Sequence, residues 1–310
     1  MGIKVLKRQA EELKHQLLDN ITFGFELEGE FITLHYNSNH FYLGHDGSVN
    51  VHGCDCEEYY YGECHYCLNE DDCPCIFSNT NGDTITDTDY CSWSFRGCNC
   101  SEGYDAGSEL KTVNGYLLKR LFKLVDSLEL DQFQANTTCG LHVHVGIPAD
   151  IKQIIYNNQH VFAKHFRPLR VFRKRKTEYC KPLSWDTIDT TGRTALDRSF
   201  KGCEITWNTR HAIDDNTNTV EFRLFDGDYK CSAADDTKGH IFSESQIKAY
   251  IKLCVYSTFA CLFNTLNEIC GVEQVTLPVP SSKDDIIHWI ASDLVESNLK
   301  IYQKELVNIA

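Results

Sequence analysis

Three short segments of this sequence place ionisable side chains at every second residue. In the first, Phe23–Phe31, a β-strand would separate four apolar side chains from three carboxylates on the opposite face. The carboxylates are Glu26, Glu28 and Glu30, spaced about 7 Å apart along such a strand. Like charges at this spacing are neutralised either by water, on an exposed acidic face, or by divalent cations, in a pocket. This segment alone leaves both interpretations open.

The second segment, Cys139–Ile147, carries His142 and His144, and the third, Thr219–Phe225, carries Glu221 and Arg223. Taken singly, the histidines could be strand residues without a ligand, and Glu221 and Arg223 could be a structural pair. If the three segments share a sheet, however, one face gathers carboxylates, imidazoles and a guanidinium. Carboxylate with histidine is a metal-ligand set, and arginine grips phosphate bidentately. The combination predicts a pocket.

Composition and charge narrow the class of protein. With 310 residues, 42% hydrophobic and 24% charged, the chain predicts a globular protein of one large domain or two modest ones. A net charge of −14 argues against a general nucleic-acid binder and against adhesion to an anionic membrane. The first residues form no apolar targeting segment, and no run of 18 apolar residues occurs. We therefore expect a cytoplasmic protein with no transmembrane helix.

Apolar periodicity predicts where the helices lie. We expect helices at residues 4–18, 115–130 and 149–166, a long helix over 243–270, and two more over 282–296 and 298–309. Residues 177–203 are expected to be loop with short elements. Together with the alternating segments, this pattern predicts an α+β fold, with an antiparallel sheet and helices packed on one of its faces.

Residues 51–104 differ in composition and are predicted to be a Cys-rich insertion in a domain formed by 1–50 and 105–310. Nine of the 16 cysteines lie there: Cys54, Cys56, Cys64, Cys67, Cys73, Cys75, Cys91, Cys98 and Cys100. The pair Cys64-x-x-Cys67 is a familiar zinc half-site, and a structural Zn²⁺ would explain how a segment with so few apolar residues folds. A disulfide-linked or redox-active loop, or a composition without bound metal, are the alternatives.

The ordered motifs resemble a known family. Phe23-Gly24-Phe25-Glu26-Leu27-Glu28, then Asp46-Gly47-Ser48, Glu109, Gly140-Leu141-His142-Val143-His144 and Glu221-Phe222-Arg223 resemble the amidoligase family. Its members are carboxylate–amine ligases related to glutamine synthetase and gamma-glutamylcysteine synthetase. The resemblance covers about 20–50 and 105–230 and implies a glutamine-synthetase-like catalytic domain. The C-terminal helices and the Cys-rich segment lie outside its motifs.

The resemblance also implies roles for single residues. Glu26, His142 and Glu221 would hold one Mg²⁺ at the ATP phosphates, and Glu28 and Glu109 a second, nearer the substrate carboxylate. Asp46 would orient the amine or assist at the second cation. Glu30 receives no role. The residues implied to bind the nucleotide are Arg210, Arg223, His144 and Lys181, the last from the loop Tyr179-Cys180-Lys181-Pro182-Leu183.

The implied reaction is formation of an amide bond. ATP would phosphorylate a carboxylate, and an amine would displace phosphate from the acyl phosphate, with Asp46 or Glu109 accepting the amine's proton. The substrates would be an amino acid, a peptide or a protein, and the Cys-rich insertion would cover the site or contact a protein partner. Two alternatives are an ATP-dependent phosphotransferase and a non-catalytic protein-binding module. The sequence has no Gly-x-x-x-x-Gly-Lys-Ser/Thr loop, which argues against a P-loop NTPase.

Overall fold

The computed structural model describes residues 20–31, 39–45, 77–78, 84–85, 107–130, 133–135, 139–173, 180–207, 219–227, 240–271 and 276–300. Several predicted features lie outside these residues: the first helix, Asp46, Arg210, Tyr179 and all nine cysteines of the Cys-rich segment. Within that segment, β3 (Phe77–Ser78) and β4 (Thr84–Ile85) form a small antiparallel pair. The zinc prediction therefore stays a prediction.

The described strands form one main antiparallel sheet. Its strand order is β10-β11-β7-β1-β5-β2, and β6 pairs with the end of β1 and with β12. The bounds are β1 Thr22–Phe31, β2 Phe41–His45, β5 Gly107–Thr112, β6 Phe133–Ala135, β7 Gly140–Gly146, β10 Ile205–Trp207, β11 Thr219–Asp226 and β12 His240–Phe242. The three alternating segments of the sequence are thus the adjacent strands β1, β7 and β11.

The helices complete a mixed α/β fold. They are α1 Leu118–Asp126, α2 Ala149–Asn157, α3 Gln159–Phe166, α4 Glu244–Ile269 and α5 Lys283–Ala291. Two 3-10 helices cover Arg167–Phe172 and Leu196–Arg198, and β8 (Cys180–Lys181) pairs in parallel with β9 (Gly202–Cys203) outside the main sheet. Helix α4 packs on β1 and β7 and against α1, α3 and α5.

Alternation in the strands sends apolar side chains to the helical side of the sheet. Phe23, Phe25 and Leu27 are each 1% exposed, and the Phe23 ring meets Phe259 of α4 edge-on at 6.1 Å. Apolar residues of β7 and β11, such as Val143 and Phe222, are fully buried in the same core. Burial of this face fixes the strand register, because a slip of one residue would turn every apolar side chain away. The predicted antiparallel sheet with packed helices is confirmed.

Helix α4 begins where the sequence predicted a helix start. The Ser243 hydroxyl accepts a bond from the Gln246 backbone N–H, and the Gln246 side chain accepts one from the Ser243 N–H, which makes a capping box. By length and composition, α4 alone among the described helices could cross a membrane, but 89% of its most apolar 18-residue window is buried. The helix therefore packs as the core helix of a soluble protein does.

Two predicted helices are broken where polar side chains bond to the preceding turn. Asn158 donates to the Ile154 carbonyl and separates α2 from α3. Ser292 donates to the His288 carbonyl, so α5 ends at Ala291 and the next helix begins at residue 294, not near 298. Such side-chain bonds compete with the helix ladder. The predicted helix boundary near residue 297 was wrong.

Candidate active site

Strand register brings the predicted site residues together. Glu26 of β1 lies opposite Lys111 of β5 on one side and His142 of β7 on the other. One step along, His144 lies opposite Gly24 and Glu221. Because residues paired across a sheet share a face, these side chains form one polar surface, on the side away from α4.

An irregularity in β11 shapes the edge of this surface. Phe222 pairs with Val143 and Phe225 pairs with Leu141, so two residues of β11, Arg223 and Leu224, oppose His142. This is a β-bulge, which re-aims side chains and recurs beside active sites. The Arg223 guanidinium bonds the Glu221 carboxylate on the same surface. The bulge thus gives the surface a bound arginine next to its carboxylates.

His142 lies at the centre of the carboxylates. Its Nδ1 is 3.6 Å from Glu26 Oε1 and 3.4 Å from Glu221 Oε1, and its Nε2 is 3.4 Å from Glu28 Oε1. The side chain is buried, yet neither ring nitrogen has a hydrogen-bond partner within the part of the chain that the structure describes. Ligand atoms of Glu26, Glu28 and His142 all lie within 4.8 Å of one another.

Burial makes the carboxylates of this surface costly to ionise. Glu28 is 2% exposed, and Glu109 and Glu221 are also buried. Burial, followed by the neighbouring Glu26 carboxylate, raises the pKa of Glu109 to about 8 against the opposing effect of Lys111. Burial also acts to raise the pKa of Glu26, but contacts with His142, His144 and Glu109 outweigh it and hold that pKa below its usual value. Glu109 therefore takes up a proton more readily than Glu26 does.

The donor set fits divalent cations. Buried carboxylate oxygens are hard ligands of the kind that Mg²⁺ takes, and the unsatisfied nitrogens of His142 point at the same carboxylates. On the Nδ1 side the structure brings together Glu26, His142 and Glu221, the three residues that the family resemblance implies for one ion. On the Nε2 side it places Glu28, whose β5 neighbour in register is Glu109. The Glu109 carboxyl itself contacts Lys111 and Glu26.

Two of the predicted nucleotide-binding residues lie away from the centre of the carboxylate cluster. His144 Nε2 lies 3.2 Å from Glu26 Oε2, and this side chain is 33% exposed. Lys181 lies in β8, outside the main sheet, with an exposed side chain. Among the described residues, no hydrogen bond or ion pair joins Lys181 to the cluster. The structure thus places His144 at the surface's edge and leaves the assignment of Lys181 without a contact.

A cavity of about 760 Å³ opens beside the cluster. Glu26, Lys111 and His144 line it together with polar residues such as Thr22 and Thr219. Two glycines in its lining allow threonine side chains to pack directly against the backbone. A Cβ on Gly24 would lie 2.5 Å from Thr112 Oγ1, and one on Gly146 would lie 2.4 Å from Thr22 Oγ1. A cavity of this volume has room for a small-molecule ligand in contact with the Glu26 carboxylate.

Sequence reasoning missed β5 as a strand and, with it, Lys111. Only Leu110 is apolar among Ser108–Lys111, so the alternation there is too short to indicate a strand. The available signal was the spacing of Glu109 and Lys111, two ionisable residues that a strand would place on one face. Lys111 contacts Glu26 and Glu109 and is therefore part of the site.

Comparisons with known proteins give little beyond a weak structural likeness. No protein-family model matches the chain, and no curated protein matches it. Among solved structures, the chain is similar to Plasmodium falciparum glutamine synthetase, determined by cryo-electron microscopy, with a TM-score of 0.31 and 13% identity. The alignment covers 89% of this chain and 56% of that one, so the chain spans little more than half the length of that enzyme. A function for this chain must therefore come from its own side chains.

Proposed function

We propose that this chain is an ATP- and Mg²⁺-dependent carboxylate–amine ligase of the glutamine-synthetase type, which forms an amide or isopeptide bond. The observation that carries the proposal is the cluster on β1, β7 and β11, where Glu26, Glu28, His142, Glu221 and Arg223 share one polar face. A binding module has no physical reason to bury opposed charges in this way, whereas phosphoryl transfer requires both cations and a guanidinium.

Each group has a defined task in this proposal. Glu26, His142 and Glu221 hold one Mg²⁺, and Glu28 and Glu109 hold a second. When bound, the ions neutralise the phosphate charge that would repel an incoming carboxylate. Arg223, held by Glu221, binds phosphoryl oxygens, and ATP enters the adjacent cavity, with Arg210 and Lys181 as further proposed contacts.

The reaction has two steps. An oxygen of the substrate carboxylate attacks the γ-phosphorus, the bond from the γ-phosphorus to the bridging oxygen breaks, and ADP leaves. The amine nitrogen then attacks the acyl carbon, the bond from that carbon to the phosphate oxygen breaks, and phosphate leaves. The nitrogen's proton passes to Glu109 or Asp46.

A turnover assay tests this proposal. ADP release is measured with ATP, Mg²⁺ and panels of carboxylates and amines, and the products are identified by mass spectrometry. We expect ADP release to require both substrates and to accompany an amide. Glu26→Gln should lower turnover by about 10²–10³-fold while the fold is retained. Glu268→Gln is the matched control, because this glutamate lies on α4 and pairs with Lys164 and His165 away from the cluster.

The alternatives predict different products. A phosphorylated substrate without an amide would make the protein a phosphotransferase. If the protein binds neither ATP nor Mg²⁺ and releases no ADP with any pair of substrates, the remaining interpretation is a non-catalytic protein-binding module. Full activity of Glu26→Gln would refute the assigned site.

We also propose that residues 51–104 hold structural Zn²⁺ through their nine cysteines and help to select the substrate. The support is the cysteine spacing, above all Cys64-x-x-Cys67. Metal analysis of protein purified without added zinc is the test: we expect bound zinc and protected thiols. Freely titratable thiols with no transition metal would contradict the proposal. A cytoplasmic location belongs to the same proposal, because a reducing compartment keeps these thiols available for metal.

A further inference from the structure

Lys111 is a positive charge inside the carboxylate cluster that none of the tasks above uses. It extends from β5 directly opposite Glu26 in the sheet register. Its ammonium forms an ion pair with Glu109, and Nζ lies 3.6 Å from Glu26 Oε1. The side chain is 27% exposed and lines the cavity beside the cluster. Lys111 therefore contacts two carboxylates that the ligase proposal assigns to cations.

The same oxygen of Glu26 is shared between two neighbours. Oε1 lies 3.6 Å from Lys111 Nζ on one side and 3.6 Å from His142 Nδ1 on the other. A divalent cation held by Glu26 and His142 would therefore lie close to the ammonium, and like charges at such distances repel strongly in a partly buried site. Without that cation, the Lys111 ammonium offsets the negative charge of the adjoining Glu26–Glu109 pair.

We propose that Lys111 is an internal counter-cation: it offsets the negative charge of the Glu26–Glu109 pair while no divalent cation is bound, and it competes with that cation for the same carboxylates. This inference rests on the proposed cation site. Its functional meaning is that Lys111 sets how much Mg²⁺ the site requires. It acts through Glu26 and Glu109, so it is a positioning residue.

Two variants and a matched control test the proposal. Lys111→Met removes the charge and keeps the chain length, and Lys111→Arg keeps the charge. Lys252→Met is the control. Lys252 lies on α4, away from the carboxylate cluster, and its Nζ also contacts two carboxylates, Asp126 at 2.7 Å and Glu296 at 3.5 Å. Melting temperature is measured with a chelator present, and the Mg²⁺ affinity is measured by calorimetry without nucleotide.

Lys111→Met should melt about 2–4 °C below wild type in the chelator, because the partly buried Glu26–Glu109 pair loses its counter-charge. The same variant should bind Mg²⁺ with about a tenfold lower Kd, because the competitor is gone. Lys111→Arg should stay near wild type in both measurements. Lys252→Met should change the melting temperature alone.

Three outcomes would overturn the inference in distinguishable ways. Equal Mg²⁺ affinity of wild type and Lys111→Met would refute competition and leave the ligase proposal intact. A melting temperature of Lys111→Met at or above that of wild type in the chelator would refute neutralisation. Absence of Mg²⁺ binding in both proteins would refute the competition together with the cation site and the ligase proposal.

Discussion

At the scale of single residues, one imidazole connects the ionisable groups of three strands. His142 lies between Glu26 and Glu28 of its neighbour β1 and Glu221 of its other neighbour β11. Its two ring nitrogens face different carboxylates: Nδ1 faces Glu26 and Glu221, proposed ligands of one cation, and Nε2 faces Glu28, a proposed ligand of the other. The His-x-His spacing in the sequence predicted a site, but only the register shows which histidine is central: His142 is buried, and His144 is at the edge.

The raised pKa of Glu109 predicts a pH dependence of cation binding. Glu109 has a pKa of about 8 in the folded protein, against an ordinary value of 4.5, so without cations its contribution to stability is present below about pH 4.5 and is lost as the pH rises through 8. A cation that uses Glu109 must displace the proton. The Kd for Mg²⁺ should therefore fall about tenfold per pH unit between pH 6 and 8.

Calorimetry in buffers of different ionisation enthalpy checks this prediction. Near pH 7 we expect close to one proton released per cation bound by wild type. Glu109→Gln carries no titrating carboxyl, so it should bind more weakly and release no proton over the same range. Proton release of equal size in both proteins would mean that another group carries the proton.

At the scale of elements, the alternation of apolar and polar residues predicted β1, β7 and β11, where it is pronounced. It missed β5, where it is too short to indicate a strand. β1, β7 and β11 each repeat apolar residues at every second position, as Phe23, Phe25 and Leu27 show. β5 has a single apolar residue between Glu109 and Lys111, so its pairing with β1 decides its conformation. The bulge in β11 likewise follows from pairing with β7, and no local sequence signal indicated it.

Gly29 is a position in β1 where close packing requires glycine. A Cβ there would lie 2.0 Å from Phe133 Cε2 of β6, so the ring or the strand would have to move. We expect Gly29→Ala to lower the free energy of unfolding by about 1–3 kcal/mol, measured by urea denaturation.

A double-mutant cycle isolates this contact. Phe133→Ala alone should destabilise by about 3–5 kcal/mol through loss of the buried ring. In Gly29→Ala/Phe133→Ala the methyl group has space, so the two effects should be non-additive by about 1–2 kcal/mol. If the two changes in the free energy of unfolding are simply additive, the Phe133 ring is not what prevents a larger side chain at residue 29.

At the scale of the whole molecule, α4 provides the surface on which the functional strands align. The sequence predicted this helix and its start near Ser243, but not its place against β1 and β7, because such contacts join distant parts of the chain. The same limit holds for the strand order: alternation indicates which face of a strand is polar, whereas the neighbours of each strand follow from the packed fold. The sequence therefore indicated which face of β1, β7 and β11 is polar, but neither Lys111 nor the mutual geometry of these side chains could be predicted from it.

A pair of identical substitutions measures the contribution of α4 to the core. Ile251 of α4 is fully buried, and Ile287 of α5 is 44% exposed. Ile251→Ala should lower the free energy of unfolding by about 2–5 kcal/mol, whereas Ile287→Ala should change it by about 0.5 kcal/mol or less. Urea denaturation compares them directly. Similar losses in both variants would contradict the assignment of α4 as the core helix.

The strand order has a consequence for the newly made chain. β1 is synthesised early, but its partners β5 and β7 begin at Gly107 and Gly140, so both of its edges stay unpaired for many seconds of synthesis. An apolar strand in that state would pair with copies of itself. Glu26, Glu28 and Glu30 give β1 three like charges along one face, which disfavours such pairing. We therefore expect Glu26 and Glu28, which are proposed to hold cations in the folded protein, also to disfavour aggregation of the nascent chain.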